Sequence, residues 1–134
     1  MQQDTAPPSL APAPAPIAAL AIVNARVWTG DPRRPWADAV LVRGEYVEAV
    51  GSSAEIRKRA GSAHIVDAGG MMLTPGFVDT HVHLRGTLAS GMPADLVLID
   101  RDIARVAPET VRDATVVLTM VSGRIVYDRD NLTH

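Results

Sequence analysis

The chain has 134 residues, enough for a single domain with a core that folds unaided. Hydrophobic residues make up 47% and charged residues 21%, with a net charge of −2, so neither nucleic acid nor an anionic membrane surface is an expected partner. Cysteine is absent, which excludes a disulfide framework and thiolate chemistry and fits the cytoplasm without excluding the periplasm.

Met1 to Pro16 holds five Pro and four Ala without periodicity and reads as a disordered or polyproline-like leader, taken here as residues 1–19. It lacks the basic region of a signal peptide, although a mature N-terminus given a new Met would look the same. No apolar run approaches the roughly 20 residues of a membrane span. From residue 20 onward, glycine and proline punctuate a mainly β pattern. Ala21 to Trp28 is predicted as one strand ended by the turn Thr29-Gly30-Asp31-Pro32. Ala39 to Val42 and Tyr46 to Val50 form a hairpin about Arg43-Gly44-Glu45. Ser52 and Glu55 have the spacing of a capping box, which starts a helix that ends at Arg59 or Ala60, with Gly61 as its stop.

His64 to Asp67 and Met71 to Leu73 are expected as short strands around Gly69-Gly70. Gly86 to Pro93 is rich in turn residues. Asp95 to Asp100 is a strand, continuously apolar at Leu96 to Ile99 as a buried strand should be. Pro108 to Asp113 fits one helical turn. Thr115 to Val121 and Arg124 to Tyr127 form the clearest hairpin, about Ser122-Gly123. Val42-Arg-Gly-Glu-Tyr-Val47 echoes Val121-Ser-Gly-Arg-Ile-Val126. The echo is either the ordinary recurrence of glycine hairpins or a sign that two hairpins from opposite ends of the chain pair in one sandwich. About seven short strands with such turns favour a β-sandwich with one or two short helices.

The chemistry is concentrated in Thr74-Pro-Gly-Phe-Val-Asp-Thr-His-Val-His-Leu84. Alternate residues of a strand share a face, so Asp79, His81 and His83 would point one way. Two imidazoles so spaced can reach one divalent cation, and Asp79 could orient a ligand from behind it. Pro75-Gly76 supplies the bend that aims this strand away from the preceding sheet. As a bare pattern His-x-His is weak. Asp95, Asp100 and Asp102 flank a strand and read as turn and cap residues, His64 and His134 belong to no motif, and Trp28 and Trp36 read as packing residues.

The context of the two histidines is more specific. Asp67-Ala-Gly-Gly-Met-Met-Leu-Thr-Pro-Gly-Phe-Val-Asp-Thr-His-Val-His83 closely resembles the entry into the barrel of the amidohydrolase superfamily. Ile22-Val-Asn-Ala-Arg-Val-Trp-Thr-Gly30 resembles that family's opening strand, and Val42 to Gly51 its next hairpin. Gly91-Met-Pro-Ala-Asp-Leu-Val-Leu-Ile-Asp100 resembles the start of its C-terminal segment, and Val121-Ser-Gly-Arg-Ile-Val-Tyr127 its closing hairpin. The resemblance runs from Ala21 to Asp128 and is strongest to the long-chain, broad-specificity branch. It implies a composite β-sandwich (residues 20–134) built from an N-terminal segment, 20–84, and a C-terminal segment, 85–134. It also implies a metal-dependent hydrolase of non-peptide C–N bonds, with His81 and His83 as ligands of a divalent metal, zinc by expectation.

A (β/α)8 barrel takes roughly 250 residues, whereas six separate Leu84 from Gly91. The barrel is therefore expected to be missing, and with it the remaining metal ligands and the catalytic aspartate. No catalytic residue is assignable, and the chain alone is expected to be inactive. The alternatives are a non-enzymatic oligomerisation or binding module, a homo-oligomer formed through the surface that would face the barrel, and a chain that complements a separate barrel.

Overall fold

The computed structural model describes residues 18–78 and 84–133. In chain order these form β1 (Ala19–Val23), β2 (Arg26–Trp28), β3 (Trp36–Ala37), β4 (Ala39–Arg43), β5 (Tyr46–Gly51), α1 (Ser53–Ala60), β6 (His64–Asp67) and β7 (Met72–Pro75). They continue with β8 (Phe77–Val78), β9 (Leu84–Arg85), β10 (Leu96–Ile99), a 3-10 turn (Pro108–Asp113), β11 (Val116–Val121) and β12 (Arg124–Asp128). The domain is mainly β, as expected, and the described residues form no closed barrel. Ala19, the last residue of the expected leader, lies in β1 and pairs with Arg43.

The strands form a four-stranded sheet, β5-β4-β1-β6, a six-stranded sheet, β12-β11-β10-β7-β2-β3, and the small pair β8-β9. Both larger sheets are mixed, because β1 pairs in parallel with β6 and β2 with β7. The expected strand Ala21 to Trp28 is two strands in two different sheets. Asn24, at φ 54°, breaks it, since one left-handed residue cannot continue an extended ladder. The Asn24 amide is held by Ser53 Oγ at 2.9 Å, and β2 then crosses to the second sheet. The pattern also missed β3, two residues long, which pairs with β2.

The apolar continuity of the strands follows from burial on both faces. Leu20 and Ile22 of β1 join Val40, Val42, Leu73, Leu96, Leu98, Leu118 and Met120 in a core shared by both sheets. The alternate residues, Ala21 and Val23, face the other way and meet Ile56 and Ala60 of α1. The order of layers is therefore helix, four-stranded sheet, core, six-stranded sheet. Small residues at Ala21, Ala39 and Ala49 let the helix lie close to the sheet.

α1 begins and ends as its sequence requires. Glu55 N–H donates to Ser52 Oγ and Ser52 N–H donates to Glu55 Oε1, each at 3.1 Å, closing a reciprocal capping box. Gly61, at φ 58°, ends the helix.

The six-stranded sheet is built from both ends of the sequence. β7, the last strand before the histidine motif, lies beside β10, the first strand after the turn-rich stretch, with Leu73 opposite Leu98 and Thr74 opposite Val97. All four residues of β7 and all four of β10 are buried. Each large aliphatic side chain so buried contributes about 1.5–3 kcal/mol, which makes this pair the seam of the fold.

Candidate functional site

The approach to the histidine motif is set by Gly76. β7 ends at Pro75 in the six-stranded sheet, whereas β8 belongs to the separate pair β8-β9, so the chain turns between them as the Pro-Gly dipeptide predicts. The Gly76 amide donates to the Asp95 carbonyl at 2.8 Å. A side chain at this position would meet the backbone of Asp95 and Leu96 at 2.7 Å, so only glycine admits the contact.

Beyond this bend, Phe77 pairs with Arg85 and Val78 with Leu84 in antiparallel register. The two flanks of the motif are thus neighbours in one short hairpin. Asp79, His81 and His83 lie between them and outside the described residues, as does His134.

The return path after β9 is tied to the sandwich. Leu88 is 2% exposed and its amide donates to the Thr29 carbonyl at 2.8 Å. Further on, Val47 N–H donates to Met92 O and Gly91 N–H donates to Val47 O, each at 2.8 Å, so the segment leading to β10 also runs along β5.

The other candidate donors are engaged in structural roles. Asp95 Oδ1 accepts the Ser122 amide at 2.7 Å, bracing the β11–β12 turn. Asp100 accepts the Thr115 amide at 3.1 Å, the Thr115 hydroxyl at 2.9 Å and Arg101 Nε at 3.1 Å. The Arg101 guanidinium, followed by the Thr115 amide, holds its pKa down to about 2. Asp102 takes Arg26 Nε at 3.1 Å and caps the Ala104 amide at 2.9 Å. The expectation of turn and cap roles for these three aspartates agrees with this geometry.

His64 Nε2 lies 2.9 Å from the Leu132 carbonyl and so ties the C-terminal residues to β6. Among the described residues, no three His, Cys, Asp or Glu side chains converge on a point where a metal could sit. The described residues therefore do not by themselves assemble such a group of ligands, and the expected ligands His81 and His83 lie outside them.

Trp28 and Trp36 face each other across β2 and β3, with ring centroids 5.1 Å apart and planes at 63°. The Arg26 guanidinium lies 3.7 Å above the Trp36 ring and is also paired with Asp102. The tryptophans pack on each other and on Arg26 at the edge of the sheet. No local motif marks Arg26, because its partners are 10 and 76 positions away in the chain.

Two cavities adjoin this region. One, of about 280 Å³, is lined by Thr29, Asp31, Arg34, Glu48, Arg59 and Leu88. Its charges are mixed, and Arg43 and Arg59 hold the Glu48 carboxyl below the usual carboxylate range, with the Arg43 hydrogen bond the larger cause. The other, of about 330 Å³, lies at the foot of β8 between Pro75, Gly76, Gly86, Met92, Pro93 and Asp95. The first lies just below and the second at the low end of the usual range for ligand pockets, roughly 300–1,000 Å³.

The model of an amidohydrolase family matches residues 83–127, from the second histidine of the motif to Tyr127 in the terminal hairpin. N-substituted formamide deformylase of Arthrobacter pascens is 44% identical over 66 residues, covering 48% of this chain and 12% of the relative. Enamidase of Eubacterium barkeri is 41% identical over 63 residues, covering 46% and 16%. The matched stretches of this chain are similar to amidohydrolases. Among solved structures, enamidase, itself described as an amidohydrolase superfamily member, aligns at 37% identity with a TM-score of 0.39 over 46% of this chain and 17% of that one. The matched stretches span less than a fifth of these relatives' lengths.

No helix among the described residues is long and apolar enough to cross a membrane.

Proposed function

We propose that this chain is the composite β-sandwich of an amidohydrolase standing without its barrel, and that it does not hydrolyse a substrate alone. The observation that carries the reading is the pairing of β8 with β9 across only five intervening residues, 79–83. A (β/α)8 barrel needs roughly 250 residues at this point. In the intact family arrangement His81 and His83 would hold the metal, zinc by preference, and Asp79 would orient one of them. A metal held there would supply a water of lowered pKa and polarise the carbonyl of a non-peptide C–N bond. A catalytic zinc takes about three protein ligands, and two histidines leave that set unfilled.

The test is direct. The pure chain, loaded with zinc, is assayed against N-formyl amines and cyclic amides. The expected rate equals that of buffer. Turnover that disappears in His81→Ala would overturn the proposal.

A second reading is a binding or oligomerisation module. It is favoured by the apolar side chains of Val116, Val121, Val126 and Tyr127, each at least 40% exposed on the β11–β12 hairpin. Exposed large apolar side chains gathered on one hairpin suit an interaction surface. Light scattering that finds a monomer at every concentration would exclude self-association. A chain that complements a separate barrel is less well supported, because β9 already occupies one edge of β8.

A further inference from the structure

We draw no further inference here: the strongest candidate, the apolar patch that Val116, Val121, Val126 and Tyr127 expose on the terminal hairpin at the edge of the six-stranded sheet, is an unpartnered sheet face interrupted by the register shift of β12, and nothing in the structure shows what covers it.

Discussion

Gly123 rests on the carbonyl of Gly44, so closely that a methyl group on Gly123 would lie 1.9 Å from that oxygen. Gly44 turns β4 into β5 in one sheet, and Gly123 turns β11 into β12 in the other. Between them passes Ala94, whose amide donates to Glu45 O at 2.8 Å and whose carbonyl accepts the Gly123 amide at 3.1 Å. Two hairpins 79 positions apart therefore close the same end of the sandwich.

Replacing Gly123 with Ala should cost about 2–4 kcal/mol, combining left-handed strain at φ 76° with the collision against Gly44. Gly44→Ala should cost only about 1–2 kcal/mol, since the strain at φ 62° acts alone in open space. Urea unfolding of the two variants separates the terms, and equal losses would show that the turn-to-turn contact carries no weight.

The segments before and after the histidine motif should unfold together. Leu20→Ala and Leu98→Ala remove fully buried side chains of one shared core, and each should cost about 2–5 kcal/mol. Both should shift one common transition, read by circular dichroism and tryptophan fluorescence. Separate transitions for the two probes would refute the composite core.

Ser52→Ala removes the hydroxyl that accepts the Glu55 amide, while the backbone N–H of residue 52 still donates to Glu55, and should cost about 1 kcal/mol. Glu55→Gln should cost less, because the amide oxygen still accepts the Ser52 N–H. A loss in Glu55→Gln equal to that in Ser52→Ala would mean that the carboxylate charge, rather than the hydrogen bond, caps the helix.

Acid should weaken the junction of β10 and β11. The Asp100 pKa is depressed in the fold from 3.8 to about 2. A depressed acid stabilises above its unfolded value, and that contribution is lost as pH falls from near 3.8 toward 2. Asp100→Asn should therefore be less stable than the native chain at neutral pH, with the gap shrinking across this window. Urea midpoints measured across the range check it, and a constant gap would assign the loss to packing instead.

Zinc should leave the melting temperature unchanged if His81 and His83 lack further ligands. A completed site would add about 2.7 kcal/mol at metal 100-fold above its dissociation constant. Calorimetry with and without zinc, repeated on His83→Ala, decides the matter. A zinc-dependent rise lost in that variant would mean the two histidines have found partners.

Much of the architecture was legible locally. The helix from Ser52 to Gly61 could be read from its cap and its stop, and the terminal hairpin from the turn Ser122-Gly123, because these signals act over a few residues. The β1–β2 break was not legible, because Val23-Asn24-Ala25 is a plausible strand interior. Only the left-handed Asn24 and the different partners of β1 and β2 separate them. The echo between the hairpins was legible but out of step. It aligns Gly44 with Gly123, whereas the cross-strand register aligns Gly44 with Ser122, each the first residue of a two-residue turn. Ser122, at φ 48°, accepts the conformation that glycine takes in the other hairpin.

The sequence by itself determined the resemblance to amidohydrolases, the mainly β class and the capped helix, since each rests on neighbours in the chain. Only the tertiary structure decided that β7 lies against β10, that β8 folds back on β9, and that Asp95, Asp100, Asp102 and His64 serve as braces rather than ligands. Those outcomes depend on hydrogen bonds and burial between residues distant in the chain, which no local pattern specifies.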